Sequence, residues 1–393
     1  MTPPAPANGE LGRYTPPVDE YAFLLGEAFG EDIVARASGG ALKAEDARDA
    51  LEGAGEFAAE VFAPLDRLGD PGRHRARRRR GPHAGRLPRR LPGLRRGRLG
   101  DRDDPASSGG DGLPGSLQQA LTEFWNGSNV ALSLAPMLST GQIHALDADG
   151  LREPKTYLTR LVSGEWTGTM NLTEPEAGSD LGAITTIARD NGDGSWSISG
   201  QKIFITWGDH DVADNIMHLV LARTEGAPAG HRGLSLFVAP KRLVHPDGSL
   251  GARNAVETVA VEHKLGIHAS PTCVLQLRRR DRLPGRRAAR RLAGHVRHDE
   301  LGADQRRRAG PRGVGARLPA RPRIRGAARA GRVLGRRRRA HDRRGHPDVR
   351  RLLLSMASRI SALRALVVFA ADLEDRAEEG DNEAVRRVPS FRF

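Results

Sequence analysis

The chain of 393 residues has a single cysteine, Cys273. That excludes an intramolecular disulfide and any cysteine-based metal cluster. Its neighbours in "SPTCVLQL" are apolar, so a buried structural thiol is expected rather than a nucleophile. No apolar run reaches membrane-spanning length, and residues 1–17 lack the basic-then-apolar order of a secretory leader. A soluble, reducing, cytoplasmic setting is the expectation. No spacing of His, Asp and Glu suggests a metal site. Lysine, methionine and all three aromatic types are missing from two long stretches, residues 73–106 and 278–345.

What fills those stretches is arginine, 13 against 3 acidic residues in the first and 25 against 5 in the second. The formal net charge of +14 comes entirely from them, because the remainder carries 24 Lys and Arg against 40 Asp and Glu. A nucleic-acid-binding tail would mix lysine or stacking aromatics among the arginines. A disordered linker is compatible with so few large apolar residues at high charge. The reading that accounts best for both is translation out of frame in a GC-rich gene, which yields Arg, Gly, Ala and Pro. Recognisable text resumes abruptly at "GGDGLPGSLQQALTEFW" and at "HPDVRRLLLSM".

Outside the tracts the periodicity is clear. "VDEYAFLLGEAFGEDIVARA" reads as one helix. Leu51, Ala54, Phe57, Ala58, Val61 and Phe62 form one face of a second. A third begins at Ser116, which with Gln119 makes a capping-box pattern ahead of the stripe Leu117, Ala120, Leu121, Phe124 and Trp125. "NVALSLAPML" and "REPKTYLTRLV" read as two more. From Trp166 to Leu277 the pattern becomes strands: "WTGTMNL", "AITTIAR", "GSWSISG", "QKIFITW", "IMHLVLAR", "LSLFVAP", "VETVAVE" and "CVLQL". These predict a small antiparallel sandwich or barrel. Residues 346–379 return to helical spacing, with Pro347 in the first turn and Gly380 as the stop. The fold class expected is therefore multidomain α+β. Residues 1–164 form a helical N-terminal domain containing the aberrant 73–106, 165–277 a β-rich middle domain, 278–345 an aberrant segment, and 346–393 the remnant of a C-terminal helical bundle.

Two segments carry chemistry. "MNLTEPEAGSDLGA" (170–183) followed by "GQKIFITWG" (200–208), then "GLSLFVAPK" and "VEHKLGIHASPTC", resembles in wording and order the flavin-contacting signature of the acyl-CoA dehydrogenase family. "LVSGEWTGTMNLTEP" resembles its larger branch, with long-chain and methylthiopropanoyl-CoA types. The resemblance runs from about Leu113 to Leu277 and more faintly over the first seventy residues and 346–379. It implies an FAD-dependent enzyme of fatty acid metabolism that oxidises an acyl-CoA thioester to the trans-2-enoyl-CoA, passes electrons to an electron-transfer flavoprotein, and is a homo-oligomer with no membrane or nucleic-acid role. By resemblance Met170, Leu172 and Thr173 meet the flavin pyrimidine edge, Thr206 lies near N5 beside Ile205, and Phe204 packs against the ring. Gly178 and Ser179 form a turn for the flavin diphosphate or the substrate's pantetheine arm, which makes Ser179 a substrate contact as well.

Other readings stand beside these. Glu174 and Asp180 are turn and capping residues rather than acid/base groups. Phe204 and Trp207 could be core aromatics, His263 and His268 surface or structural residues, and Trp166 core. The family's catalytic glutamate follows a late tyrosine or sits on an earlier helix of the C-terminal domain. No Tyr follows Tyr157 and the earlier helix would fall in 278–345, so no base is assigned, and the arginine-bearing segment for the flavin diphosphate is lost with it. Glu379 before Gly380 reads as a helix end. A C-terminally truncated chain of impaired activity is the expectation. The alternatives are a non-catalytic flavin- or CoA-binding remnant and an arginine-rich nucleic-acid binder.

Overall fold

Apolar residues at three- and four-residue steps fold the first described stretch into α1 (Val18–Gly26), α2 (Ile33–Ala37) and α3 (Ala44–Phe57). The computed structural model describes residues 14–29, 32–69, 113–148, 155–278, 290–291 and 347–387. Expectations for 73–106 and for nearly all of 278–345 therefore lie outside the described residues. The run 18–37 is two helices rather than one. Asp32 opens the second, its carboxylate accepting the Ala35 N–H at 3.0 Å. Past α3 the helix widens into a π-turn, Ala58–Phe62, which buries Ala58, Ala59 and Phe62 together, and continues as α4 (Ala63–Gly69).

Four further helices are α5 (Gly115–Ala148), α6 (Lys155–Val162), α7 (Pro347–Glu378) and α8 (Asn382–Arg387). Asn129, at φ −159° and ψ 90°, breaks α5. There the chain passes from the first of two compact units, built from α1–α3, the start of α5, α7 and α8, into the second, which holds the rest of α5, α6 and the strands. The stripe Leu117, Ala120, Leu121, Phe124 and Trp125 is buried. The expected Ser116–Gln119 capping box does not form. Ser116 lies inside the first turn, its hydroxyl without a partner. Asp375 of α7 supplies the cap instead, accepting the N–H groups of Gly115 at 3.0 Å and Ser116 at 3.2 Å. A carboxylate at a helix N-terminus satisfies orphan donors and the helix dipole together, which a hydroxyl does less well.

Helix α7 starts at Pro347 and ends before Gly380, whose φ of +92° releases the chain. Contrary to the expectation from the sequence, its residues 347–377 are long and apolar enough, by length and composition, to cross a membrane. Within its unit, however, the helix buries Ile360, Val368 and Leu373 and largely covers a charged residue, Arg364. The Arg364 guanidinium donates to both oxygens of Glu123 at 3.0 and 3.1 Å, pairs with Glu20, and lies 5.8 Å from the Tyr21 ring. The Tyr21 hydroxyl donates to the same Glu123 at 2.5 Å. Leu352, Leu354, Met356, Leu363 and Leu366 of α7 are exposed.

The strands of the second unit form one curled eight-stranded sheet with a separate hairpin. Its strands are β1 (Trp166–Asn171), β2 (Ile187–Asp190), β3 (Trp196–Thr206), β4 (Asn215–Thr224), β5 (Leu234–Pro240), β6 (Arg242–Val244), β7 (Leu250–Arg253), β8 (Val256–Val261), β9 (Thr272–Leu277) and β10 (Arg290–Arg291). The order is β10-β5-β4-β2-β3-β9-β8, with β1 also on β4 and β6-β7 apart. The sheet is mostly antiparallel as expected, but β1 and β2 both run parallel to β4. The long excursion between β1 and β4 provides the crossover that parallel pairing needs. "GSWSISG" and "QKIFITW" are one continuous strand. Gly200 permits this, since a Cβ there would sit 2.2 Å from the Thr186 hydroxyl. The β6–β7 hairpin was not expected, although "HPDGS" is a turn signal.

Strand β4 is buried on both faces, which explains its near-continuous apolar text. Met217, Leu219 and Leu221 pack with Ile143, Leu146, Leu161 and Trp166 on the helix-covered face. Val220 and Ala222 pack with Ile198, Ile205, Phe237 and Leu275 inside the curl. Cys273 lies in that interior as expected, where burial pushes its thiol up to about 12.

Candidate functional site

The end of β1 and a kink in β3 meet. Between Lys202 and Ile205 the register of β3 on β9 slips by one residue, a bulge that places Ile203 and Phe204 opposite Val274 alone. The Ile203 N–H donates to the Thr173 carbonyl at 2.9 Å, and Lys202 Nζ donates to the Leu172 carbonyl at 2.9 Å. Leu172, Thr173 and residues 202–206 therefore share one edge.

Phe204 and Trp207 both have φ in the left-handed region, +58° and +53°. For bulky residues that conformation is costly and persists only where surrounding structure fixes it. Trp207 supplies the fixing. Its ring is fully buried, packs edge-on to His210, and donates Nε1–H to the Ala131 carbonyl at 3.0 Å, while its backbone N–H donates to the Pro271 carbonyl at 2.7 Å. Phe204 is the reverse case, 58% exposed. Of the two aromatics only Trp207 is core.

The remaining candidates divide. Met170 and Leu172 are partly buried against the helix-covered cluster. The Ile205 side chain belongs to the interior core, leaving its backbone for any ligand. Thr206 closes β3, partly buried and paired with Thr272. Gly178 and Ser179 lie beyond a tight Glu174–Ala177 turn and are exposed. Nothing stands within 4 Å of where a Gly178 Cβ would be. Asp180 caps the short 3₁₀ turn Leu181–Ala183 through the Gly182 N–H, as its turn-former reading requires.

Glu174 does more than the sequence suggested. Its Oε1 accepts Lys202 Nζ at 2.8 Å and the Thr186 N–H at 3.1 Å. Its Oε2 accepts the Thr185 N–H at 2.8 Å and hydroxyl at 2.7 Å. Lys202 is 0% and Glu174 3% exposed. Burial opposes ionisation of Glu174, but Lys202 and these donors outweigh it and hold the carboxyl at about 2. Burial lowers Lys202 to about 8, with Glu174 resisting the shift. In the sequence Lys202 is legible only as the first residue of the motif Lys-x-aromatic-Ile-Thr in "GQKIFITWG", with no role attached to it.

A polar row runs along β1 from Thr167 to Asn171. His210 Nδ1 accepts the Val212 N–H at 3.3 Å, so its Nε2–H donates to Thr167, 2.9 Å away. The Thr169 hydroxyl donates to Asn171 Oδ1 at 3.0 Å, so His218 Nδ1–H is the donor toward Thr169, 2.9 Å away. Burial pushes both imidazoles down to about 3, so both are neutral. Beside them Asp209 binds Lys241 at 2.5 Å, Thr258 at 2.9 Å and Arg253 at 3.3 Å. Among the described residues no group of three or more His, Cys, Asp and Glu could hold a metal ion. The His263 and His268 rings lie 6.1 Å apart.

Comparison with known proteins gives a consistent picture. Residues 169–279 match the model of the acyl-CoA dehydrogenase middle domain. The chain is 38% identical over 370 residues to a 3-methylmercaptopropionyl-CoA dehydrogenase of Ruegeria pomeroyi, covering 89% of this chain and 60% of that one. It is 35% identical over 287 residues to a butyryl-CoA dehydrogenase of Syntrophomonas wolfei, covering 70% and 47%. The chain thus spans 60% of the first relative's length and 47% of the second's. Among solved structures, a glutaryl-coenzyme A dehydrogenase with glutaryl-CoA matches at TM-score 0.64 and 22% identity, over 88% of this chain and 84% of that one. The Megasphaera elsdenii butyryl-CoA dehydrogenase matches at TM-score 0.61 and 20% identity, over 84% and 80%.

Proposed function

The chain belongs to the acyl-CoA dehydrogenase family, and from that premise we propose that its β-rich unit grips the edge of an FAD. The whole protein would then convert an acyl-CoA thioester to the trans-2-enoyl-CoA and hand electrons to an electron-transfer flavoprotein. The observation that carries the reading is the joint of Leu172–Thr173 with the bulge at 203–206, where a strained backbone holds Phe204 out of the sheet. The donor set fits the group. Backbone amides and the Thr206 hydroxyl can hydrogen-bond a neutral ring edge without bringing charge to it, Phe204 offers an apolar face, and the clear approach at Gly178 suits a bulky phosphate or pantetheine arm. FAD, when bound, supplies the two-electron oxidant for the Cα–Cβ bond.

Neither conspicuous described carboxylate suits removal of the α-proton. Glu174 has all its acceptor positions filled internally and stays ionised to about pH 2, and Glu379 lies at a helix end, paired with Arg36. No catalytic base is assigned, and a homo-oligomeric, cytoplasmic enzyme is part of the same proposal. The test is FAD titration of the purified chain, followed by anaerobic addition of butyryl-CoA and of 3-methylthiopropanoyl-CoA. Bound flavin that bleaches supports the dehydrogenase. Flavin retained but never bleached supports a non-catalytic binder, and failure to retain flavin overturns the reading.

A further inference from the structure

We propose that Lys202 and Glu174 are positioning residues of this site: the ammonium clamps the Leu172 carbonyl to the Glu174 carboxylate, and so fixes the end of β1 against the bulge of β3. The inference rests on the cofactor reading above and adds to it the part that sets the site's geometry. Lys202 reaches two acceptors, one of them a backbone carbonyl of a candidate contact residue. Glu174 follows Thr173 directly, and its other contacts hold Thr185 and Thr186. The pair is thus interleaved with the candidate contacts: Leu172 and Thr173 precede Glu174, and Phe204 and Thr206 follow Lys202.

A buried ion pair is a poor means of gaining stability, because desolvating both charges offsets much of their attraction and an apolar pair of similar volume often does as well. What an ion pair provides that an apolar pair does not is direction. Here that direction goes to one carbonyl and three donors beside the candidate edge. Supporting contacts of this kind hold a binding group in one orientation; around metal ligands their removal typically weakens metal affinity or activity by about tenfold or more.

The experiment uses the full chain and FAD, reading the dissociation constant, the visible spectrum of bound flavin, and the thermal unfolding midpoint. Phe204→Ala tests the site reading itself. Glu174→Gln, Lys202→Met and the double Glu174→Gln/Lys202→Met test the clamp. The expected result is about tenfold weaker FAD binding and a shifted flavin spectrum in Lys202→Met. The double variant, freed of its stranded charge, should recover much of the unfolding midpoint while staying weak in FAD. Recovery of parental affinity and spectrum in the double variant would reduce the pair to a matter of stability and overturn the proposal. Should Lys202→Met not fold, the isosteric Glu174→Gln decides, and parental affinity and spectrum in it overturn the proposal equally. A parent that binds no FAD sinks the site reading and this one together. Loss of FAD in Phe204→Ala with none in Glu174→Gln sinks this one alone.

Discussion

Each of the two units holds a cluster of opposite charges, fully buried in the β-rich unit and partly buried in the helical one, and the two clusters join pieces of chain at very different range. In the β-rich unit Glu174 and Lys202 are 28 residues apart. In the helical unit Glu123 and Arg364 are 241 apart, with Glu20 and Tyr21 drawn in as well. The first cluster orders a local bend beside the candidate cofactor edge, and the second staples three helices that the sequence keeps distant. Range decides consequence: a variant in the first should disturb ligand geometry, one in the second the assembly of its unit.

Acid should separate the units most strongly. His210 and His218 titrate near 3 in the fold against an ordinary 6.5, and Glu174 near 2 against 4.5. All three are depressed. For each the unfolded chain binds more protons in that interval, so stability is complete above pH 6.5 and is lost as pH falls toward 2. The helical unit has no histidine among its described residues. Fluorescence of Trp166, Trp196 and Trp207 should therefore report acid unfolding at a higher pH than Trp125 does. Coincident transitions would break the contrast.

Lys202→Met comes next. It strands a carboxylate that is 3% exposed, with an expected loss of about 3–5 kcal/mol in urea unfolding of the β-rich unit. Arg364→Met should cost somewhat less, about 3 kcal/mol, because Glu123 keeps the Tyr21 hydroxyl; the loss should appear in helical circular dichroism. At the small end, Asp375→Ala should cost about 1 kcal/mol and Ser116→Ala less than about 0.5. The reverse order would restore the local cap that the sequence suggests.

The gap between these expectations and a plain reading of the sequence has a physical pattern. Strand and helix positions were legible wherever one face repeats, as along Leu117–Trp125 and β4, because period is a property of contiguous text. Helix ends set by backbone geometry, Pro347 and Gly380, were legible for the same reason. The run 18–37 misled because the break before Asp32 interrupts a pattern that stays apolar on both sides. Of the site, Leu172, Thr173, Phe204 and Thr206 were legible as two motifs, and the structure brings them to one edge. Lys202 was legible as part of the second motif but its role was not, because that role depends on a carbonyl and a carboxylate that pairing alone delivers.

The sequence by itself determined the resemblance to the acyl-CoA dehydrogenase middle domain and the two segments that face one another, since a motif is written in consecutive residues. Tertiary structure alone decided which carboxylate caps α5, which nitrogens of His210 and His218 carry their protons, that β1 and β2 run parallel to β4, and that Phe204 stands outside while Trp207 is buried. Apart from the His210 tautomer, which the nearby Val212 N–H fixes, these turn on the packing of segments distant in the chain, and local propensity reaches only a few residues.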